Sequence, residues 1–254
     1  MKGVVLAAGQ GKRLRPYTDH LPKSMVEVAG HPFLAYTLSR FKAAGVWEIQ
    51  IVTGYLAKKV ETYFEDGSRI GLKLSYVRQS KLGGTAPALL LTERFVDDTP
   101  FMFGWGDILS KPAEYRRLAD MFQRWQPDAL LALNYLEDPS AGAAVYREGD
   151  RIVRIVEKPP PGTSTSHWNQ AGIFVLTSKI FPYLRKVPIS SRGEREFTTA
   201  IQMMIEEGHS VHGMELRERW VEMGRPEDLG TLDQILSQKG WGVDIGVDSY
   251  RHDG

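Results

Sequence analysis

The stretch that decides the fold is Lys2-Gly3-Val4-Val5-Leu6-Ala7-Ala8-Gly9-Gln10-Gly11-Lys12-Arg13-Leu14, an apolar run that leads directly into glycines and cations. An apolar strand ending in small residues can bring backbone N–H groups against a phosphate, because glycine has no Cβ to block the approach. Arg13, Arg15 and Lys23 then place fixed positive charges beside the same loop. The pattern predicts a nucleoside triphosphate site at the end of a buried strand.

Two other phosphate-binding motifs fit this stretch less well. The dinucleotide fingerprint G-x-G-x-x-G needs a third glycine where Leu14 stands, and Pro16 falls where its helix would reach a second turn. That fingerprint also needs an acidic residue about twenty positions on, where the chain reads Pro22-Lys23-Ser24-Met25. The Walker A pattern G-x-x-x-x-G-K-[ST] is absent from the sequence. A nicotinamide-dependent oxidoreductase is therefore disfavoured, and the plainer alternative is a glycine-rich surface turn with unrelated cations.

Composition narrows the class of protein. The 254 residues suffice for one large α/β domain or two small ones, and 42% hydrophobic and 25% charged residues are typical of globular proteins. A net charge of +1 argues against a nucleic-acid partner, because no excess of cations is available to neutralise phosphates. We find no apolar run long enough to cross a bilayer and no signal-peptide layout, so we expect no membrane partner and a cytoplasmic location. Without cysteine there is no disulfide and no thiolate chemistry.

Short strand-like runs alternate with helical patterns through the first half of the chain. One helical pattern is formed by Leu34, Leu38, Phe41 and Ala44, which share a face and end at Gly45. This alternation predicts a mostly parallel sheet with helices on both faces and right-handed crossovers. We expect strands at 2–7, 48–53, 73–77, 101–103 and 129–133, and further helices at 56–65, 85–95 and 113–125.

The regular alternation of strand-like and helical patterns ends at about residue 135. The runs 143–146 and 152–156, separated by Glu148-Gly149-Asp150, predict a hairpin. We expect further strands near 171–176 and 209–215, with helices at 197–207 and 226–238. The predicted fold is α/β and Rossmann-like, a mixed and mostly parallel sheet flanked by helices, with a β-rich second lobe. One domain would cover 1–239, with lobes at about 1–134 and 135–239, and 240–254 would form a polar, mobile tail.

Four motifs follow one another in order along the chain. They are Leu6-Ala7-Ala8-Gly9-x-Gly11-x-Arg13 with Lys23, Gln79-Ser80-x-x-Gly83-Gly84-Thr85-Ala86, Trp105-Gly106-Asp107, and Glu157-Lys158-Pro159. Together they resemble the sugar-1-phosphate nucleotidyltransferase family, which includes the glucose-1-phosphate thymidylyl- and uridylyltransferases. The resemblance runs from Lys2 to about Leu236 and implies the nucleotide-diphospho-sugar transferase type of fold, in which the second lobe binds the sugar.

The resemblance implies a nucleotide site in the first lobe. In the family the glycine loop wraps the triphosphate, and the residues that match Arg13 and Lys23 bind the phosphates that leave as pyrophosphate. The amide that matches Gln79 reads a pyrimidine edge, so Gln79 favours UTP or dTTP, whereas guanylyl members commonly carry glutamate there. Ser24 departs from the Gln or Glu that often follows the lysine. The nucleotide-binding candidates are Leu6, Ala8, Gly9, Gly11, Gln79, Gly84, Thr85 and Gly106, and the catalytic candidates are Arg13, Lys23 and Lys158.

The resemblance also implies a metal site and a sugar-phosphate site. Asp107 matches the family's Mg²⁺ ligand, and a carboxylate at the carboxyl end of a strand faces the crevice where open α/β sheets bind ligands. Glu222, in Trp220-Val221-Glu222-Met223-Gly224, stands where the family usually has aspartate, and we expect it to be the second ligand. The sugar-binding candidates are Gly142, Glu157 and Asn169, and Lys158 matches the lysine that binds the sugar's 1-phosphate.

The implied activity is Mg²⁺-dependent transfer of a nucleotidyl group from UTP or dTTP to a sugar 1-phosphate, with glucose 1-phosphate favoured. Pyrophosphate leaves by in-line displacement, and no covalent intermediate is needed, because the attacking phosphate is already an anion. The alternatives are a guanylyltransferase for mannose- or heptose-type sugar phosphates and a non-catalytic homologue that binds NDP-sugars. The expected partners are these small molecules, and a homo-oligomer stays open, since the family includes monomers, dimers and tetramers.

Overall fold

The computed structural model describes residues 1–81 and 83–244, and one nine-stranded sheet forms its centre. The strands are β1 (Lys2–Ala7), β2 (Glu27–Val28), β3 (His31–Pro32), β4 (Glu48–Thr53), β5 (Lys73–Arg78), β6 (Phe101–Trp105), β7 (Ile108–Leu109), β8 (Ala129–Tyr135), β9 (Ala143–Glu148), β10 (Arg151–Glu157), β11 (Trp168–Leu176), β12 (Val211–Glu215) and β13 (Val221–Glu222). The helices are α1 (Phe33–Ala43), α2 (Ala57–Phe64), α3 (Thr85–Leu90), α4 (Glu93–Val96), α5 (Pro112–Trp125), α6 (Phe181–Lys186), α7 (Phe197–Glu206) and α8 (Asp228–Leu236). The large sheet has the order β5-β4-β1-β6-β11-β8-β12-β10-β9, which confirms the predicted class of a mixed sheet flanked by helices.

Parallel pairing builds the first half of the sheet. β1 lies between β4 and β6 and is parallel to both, and β4 is parallel to β5. Phe101, Met102 and Phe103 of β6 are completely buried, as expected of a strand with helices on both faces. Because the carboxyl ends of parallel strands meet at one edge of a sheet, the loops that follow β1, β5 and β6 lie together.

The second lobe continues the same sheet. β11 runs antiparallel to both β6 and β8, and its pairing with β6 extends from Ile173 opposite Gly104 to Leu176 opposite Phe101. β12 is parallel to β8 and antiparallel to β10, which forms the predicted hairpin with β9. The two lobes are therefore joined by main-chain hydrogen bonds across the middle of the sheet.

Two apolar cores cover the opposite faces of this sheet. Alternate residues of a strand point to opposite faces, and Phe103 and Leu131 belong to one core while Met102 and Leu130 belong to the other. Helices α3, α6 and α7 cover the first core, and α1, α2 and α5 cover the second. The cores leave the carboxyl edge of the parallel strands to the loops.

The helix expected at 85–95 is two short helices, α3 and α4. The break falls at Thr92, whose Oγ1 donates to the carbonyl of Leu89 at 2.7 Å and which precedes α4 as its N-cap residue. A hydroxyl that bonds the local main chain competes with helix continuation, which explains why an apolar pattern alone misses the break. Within the described residues, none of the helices combines the length and the apolar character needed to cross a bilayer.

A third apolar cluster lies outside the large sheet and includes residues near the end of the described chain. It joins α8 to Leu14, Leu109, Val221 and Met223, and it includes Trp241, which is 2% exposed. The expectation of a mobile tail from residue 240 is wrong for 240–244, because the Trp241 ring is packed and its carbonyl is bonded. Residues 245–254, the rest of that expected tail, lie outside the described residues.

Candidate active site

A cleft of about 720 Å³ opens at the carboxyl edge of the parallel strands and continues into the second lobe. Loops after β1, β5 and β6 line the cleft, together with residues of β10, β11 and β13. Every residue selected from the sequence lines this one cleft. They are Leu6, Ala8, Gly9, Gly11, Arg13, Lys23, Gln79, Gly84, Thr85, Gly106, Asp107, Gly142, Glu157, Lys158, Asn169 and Glu222. The fold brings them together, and what each of them binds stays a prediction.

The loop after β1 depends on glycine geometry. Gly11 has a φ of +64°, in the left-handed region, and a Cβ there would lie 2.8 Å from the Cβ of Lys23. Glycine therefore allows Lys23 to pack directly against the loop. The Thr18 hydroxyl donates to the carbonyl of Gly11 at 2.8 Å and also holds the loop. Arg13 follows in a single 3₁₀ turn whose last residue, Leu14, is completely buried.

Gly106 brings the end of β6 close to the end of β1. Its N–H donates to the carbonyl of Leu6 at 2.9 Å, and a Cβ at this position would lie only 3.0 Å from that oxygen. The close approach places Asp107, the next residue, beside the loop after β1 (residues 8–13), which the sequence predicts to be a phosphate loop. The sequence Trp105-Gly106-Asp107 thus uses its glycine to position its carboxylate.

Asp107 and Glu222 are carried by a two-stranded ribbon of β7 and β13. The N–H of Met223 donates to the carbonyl of Asp107 at 2.9 Å, which ties the two carboxylate-bearing segments together. Burial raises the pKa of Glu222 and the charge of Asp107 raises it further, while Lys23 and Arg13 lower it. The Asp107 carboxylate is also paired with Lys23, whose Nζ lies 2.5 Å from Oδ2. Two carboxylates and two cations therefore form one charge cluster beside the phosphate loop.

This charge cluster fits a Mg²⁺ ion bound together with a phosphorylated substrate. Mg²⁺ usually takes one or two carboxylates and completes its shell with water and phosphate oxygens. A divalent cation would relieve the repulsion from Asp107 that contributes to the raised pKa of Glu222. The described residues hold no group of three or more His, Cys, Asp or Glu side chains suited to a metal ion. A metal at Asp107 and Glu222 therefore needs oxygens from a substrate or water.

Gln79 lies directly after β5 and lines the cleft. Its Nε2 donates to the carbonyl of Gly84 at 3.1 Å, which leaves one amide hydrogen and the Oε1 acceptor for a ligand. Gly84 has a φ of +106°, and a Cβ there would lie 2.4 Å from the carbonyl oxygen of Arg195. The hydroxyl of Thr85 accepts a hydrogen bond from the N–H of Phe197 at 2.8 Å. The segment 195–197 of the second lobe thus packs directly against Gly84 and Thr85.

Glu157 ends β10, and two partners orient its carboxylate. The Thr198 hydroxyl donates to Oε2 at 2.8 Å, and Arg192 donates to Oε1 at 3.3 Å. Burial raises the pKa of Glu157 and nearby Glu196 adds to that effect, while the bonds from Thr198 and Arg192 lower it. The result is an oriented, poorly hydrated acceptor whose pKa lies above the ordinary range.

Asn169 shapes the loop around Gly142. Its Oδ1 accepts from the N–H of Ala143 at 2.9 Å, and its Nδ2 donates to Asn134 Oδ1 at 2.9 Å and to the Gln170 carbonyl at 2.7 Å. Both amide hydrogens are therefore used within the protein, so the geometry favours a positioning role over the direct sugar contact expected from the resemblance. A Cβ on Gly142 would lie 2.1 Å from Asn169 Oδ1, which explains the glycine.

Sequence reasoning missed the residues that surround the Glu157 carboxylate. Arg192 and Thr198 are separated from Glu157 by 35 and 41 positions, and Arg192 also pairs with Glu196 at 2.6 Å. The one local signal is the charged run Arg192-Gly193-Glu194-Arg195-Glu196 directly before an apolar helix. Such a run is equally typical of a solvated loop, so it carries no site prediction by itself.

Comparison with known proteins places the whole described domain in one group. A family model described as nucleotidyl transferase matches residues 2–239. A glucose-1-phosphate thymidylyltransferase from Streptomyces griseus is 32% identical over 237 residues, which are 93% of this chain and 66% of that relative. The UTP–glucose-1-phosphate uridylyltransferase of Haloferax volcanii is 31% identical over 247 residues, which are 94% of this chain and 98% of that relative.

A solved structure agrees with these relatives. A protein from Bacillus anthracis, described as a glucose-1-phosphate thymidylyltransferase in complex with sucrose, superimposes with a TM-score of 0.87 at 27% identity. The match covers 96% of this chain and 98% of that one. The first curated relatives are longer proteins, of which this chain spans 66%.

Proposed function

This chain belongs to the sugar-1-phosphate nucleotidyltransferase family, and from that premise we propose that it makes an NDP-sugar and pyrophosphate from UTP or dTTP and a sugar 1-phosphate. Glucose 1-phosphate is the favoured acceptor, as in the names of both curated relatives described above. The observation that carries the proposal is the single cleft in which the phosphate loop, the Asp107–Glu222 pair and the Glu157–Lys158 segment face one another.

Gln79 supports a pyrimidine nucleotide. Uracil and thymine present one N–H donor flanked by carbonyl acceptors, and Gln79 retains one acceptor and one donor after bonding Gly84. Both groups are held in a side chain that is only 8% exposed, so a mismatched base would leave buried polar atoms unpaired. UTP and dTTP share this hydrogen-bonding edge of the base and differ elsewhere, so Gln79 does not distinguish them.

The proposed reaction is one in-line displacement. An oxygen of the sugar 1-phosphate attacks the α-phosphorus of the NTP, a new P–O bond forms, and the bond between the α-phosphorus and its bridging oxygen breaks to release pyrophosphate. Arg13 and Lys23 bind the leaving phosphates, where negative charge accumulates. Lys158 binds the sugar phosphate and directs it toward the α-phosphorus.

Asp107 and Glu222 would hold the metal in this reaction. Mg²⁺, when bound there, supplies positive charge to the α-phosphate and the attacking phosphate. In the described structure the Lys23 ammonium is paired with the Asp107 carboxylate, with Nζ 2.5 Å from Oδ2. We expect substrate phosphates to compete for Lys23 and to free Asp107 for coordination.

The Glu157 end of the cleft binds the sugar ring. A carboxylate held by Thr198 and Arg192 offers remaining lone pairs in a fixed direction, which suits recognition of ring hydroxyls. Gly142 allows the main chain of its loop to lie directly against Asn169, and Asn169 holds that loop in place.

The test is Mg²⁺-dependent pyrophosphate release with glucose 1-phosphate and each of UTP, dTTP, CTP, GTP and ATP, with the NDP-sugar identified by mass. We expect release with UTP or dTTP. Asp107→Ala should lower turnover at least about 100-fold while retaining the circular dichroism spectrum. Asp66→Ala, which removes an exposed carboxylate bonded to Ser68, is the matched control and should retain activity.

Other outcomes would decide between the alternatives. Release with GTP alone would replace the pyrimidine assignment by a guanylyltransferase. If no nucleotide gives pyrophosphate release with glucose 1-phosphate or with a panel of other sugar 1-phosphates, while NDP-sugars still bind, the protein would be a non-catalytic homologue that binds NDP-sugars. Full activity in Asp107→Ala would remove that carboxylate from the mechanism.

A further inference from the structure

We infer that Arg40, buried on α1 far along the chain from both carboxylates, is a positioning residue that holds the β7–β13 ribbon, and with it Asp107 and Glu222, against the segment 241–244. This inference rests on the proposed function for its consequence in catalysis. Its structural content stands on hydrogen bonds and packing alone. It gives the last described residues of the chain a role at the candidate active site.

Arg40 is a buried cation bonded only to main-chain oxygens in the hydrogen bonds described for it. Its side chain is completely buried, and its guanidinium donates to the carbonyls of Trp241 at 2.5 Å and Gly242 at 2.9 Å. The Nε atom donates to the carbonyl of Ser110 at 3.4 Å. Among the described ion pairs none involves Arg40, and its burial lowers its pKa to about 10. A buried charge without a carboxylate partner is costly, and these carbonyl bonds are what offsets that cost.

Ser110 connects Arg40 to the ribbon. It follows directly after β7, is completely buried, and donates from its hydroxyl to the carbonyl of Arg219 at 2.9 Å. Arg219 lies two residues before β13, so this serine joins the end of β7 to the segment that leads into β13. Arg40 therefore bonds to the residue that already joins β7 to the segment before β13.

Packing reinforces these bonds. Leu109 of β7 and Val221 and Met223, which flank Glu222, lie in the same apolar cluster as Trp241. The Arg40 guanidinium lies 6.0 Å from the centre of the Trp241 ring, within the range of a cation–π contact. The N–H of Asp244 donates to the Ser39 hydroxyl at 2.9 Å and adds a second attachment to α1. The segment 241–244 thus covers the side of the ribbon that faces away from the cleft.

The chemical consequence concerns the carboxylates. Each strand of the ribbon has only two residues, which is too short to hold the register of the pair firmly. Groups that support metal ligands from behind commonly change metal affinity or activity by about 10- to 100-fold when removed. We therefore expect Arg40 to determine how well the ribbon keeps both carboxylates in place.

The experiment compares Arg40→Met with Lys42→Met in the full chain. Lys42 lies on the same helix and also donates to a main-chain carbonyl, that of Ile70 at 3.0 Å, but it makes no described contact with the ribbon. Amide hydrogen exchange is measured at 107–110 and 220–224 without substrates, together with the Mg²⁺ concentration for half-maximal turnover. We expect exchange of these amides to rise at least about tenfold in Arg40→Met, and the half-saturating Mg²⁺ concentration to rise by a similar factor.

Local exchange separates positioning from a general loss of stability. In Arg40→Met the amides of β1 and β4 should retain their protection, and Lys42→Met should leave the ribbon unchanged. If Arg40→Met fails to fold, Arg40→Lys, which keeps the positive charge but removes the Nε donor to the Ser110 carbonyl, should also increase exchange of the ribbon amides. Ribbon amides that exchange as in the wild type in a folded Arg40→Met or Arg40→Lys protein would overturn the inference. A wild-type protein that releases no pyrophosphate would overturn the proposed function, while the exchange measurement would still decide the positioning role.

Discussion

Gln79 is fixed by the protein and yet keeps a donor and an acceptor for a base. Replacing it by glutamate removes the donor to Gly84 and to a pyrimidine carbonyl, but leaves two acceptor oxygens that suit the N–H groups of guanine. We predict that Gln79→Glu lowers kcat/KM for UTP and dTTP by about 10- to 100-fold and raises the preference for GTP relative to UTP. Steady-state kinetics with the nucleotide panel measures both changes.

The control for this substitution is Gln123→Glu on the exposed face of α5, which adds the same charge away from the cleft. It should leave the nucleotide preference unchanged. Equal loss of all nucleotides in Gln79→Glu would mean that Gln79 supports the loop at Gly84 without reading the base.

Thr198 determines part of the titration of Glu157. Burial raises the pKa of Glu157, so on lowering the pH this carboxylate is protonated earlier than an ordinary glutamate, and kcat/KM for the sugar phosphate should fall accordingly. Thr198→Val removes a hydrogen bond that lowers the pKa, so we predict that the acidic limb of the pH profile moves to still higher pH. The sugar phosphate titrates identically in both proteins, and the difference between the two profiles therefore belongs to the protein.

Two variants check this assignment. Thr163→Val, which removes a hydroxyl bonded to Pro160 on an exposed loop, should leave the profile unchanged. In a Glu157→Gln background, Thr198→Val should no longer move the acidic limb, because the amide does not titrate. A shift that persists there would assign the limb to another group.

Residues beside a glycine or at the end of a strand could be selected from the sequence, because local geometry limits what those positions can do. Gly106 with Asp107 and Gly84 with Gln79 are examples, and all four line the cleft. Arg192 and Thr198 could not be selected, since their meaning depends on a contact with Glu157 that the chain makes over 35 and 41 positions. Asn169 could be selected from the sequence and lines the cleft. Its hydrogen bonds to Asn134 and Ala143 could not be predicted, because they depend on the register of neighbouring strands.

At the scale of elements, buried strands were the most predictable part of the fold. β1 and β6 are short and almost continuously apolar, and β4 begins with an alternation of polar and apolar residues, so their positions follow from the sequence pattern. The break between α3 and α4 was missed, because one hydroxyl at Thr92 interrupts an otherwise helical pattern. The junction of the lobes through β6 and β11 was also missed, because strand pairing is not a local property.

The phosphate loop contains its own matched pair of glycines. An alanine at Gly11 would require a left-handed conformation and would meet Lys23, so Gly11→Ala should lower the free energy of unfolding by about 1–2 kcal/mol and also lower turnover. A Cβ on Gly9 meets no atom within 4 Å, so Gly9→Ala should retain its stability. We predict that it nevertheless weakens NTP binding about tenfold, because its methyl group enters the space of the phosphates.

Urea unfolding and nucleotide titration of both variants measure these effects. Normal nucleotide affinity in Gly9→Ala would show that the main chain at this position does not approach the ligand. Unchanged stability in Gly11→Ala would mean that the loop has an alternative conformation of nearly equal energy.

At the scale of the whole molecule, residues 241–244, which follow α8, are part of the folded structure. Trp241 is almost fully buried, and removing a buried tryptophan typically costs about 3–5 kcal/mol. We predict that a chain ending at Lys239 unfolds at a clearly lower urea concentration than a chain ending at Asp244, which retains every contact described above. Equal midpoints for the two chains would show that the Trp241 contacts contribute little to stability.

The pairing of β6 with β11 has a consequence for how such proteins can diversify. Four consecutive residue pairs, from Gly104 with Ile173 to Phe101 with Leu176, join the half of the cleft near the phosphate loop to the half that contains Glu157. A lobe taken from a relative would have to reproduce this register, since a slip by one residue would turn Phe174 away from its core. New sugar preferences are therefore expected to arise by substitutions and loop changes within an inherited sheet, and recombination of whole lobes between distant relatives should give chimeras that do not fold.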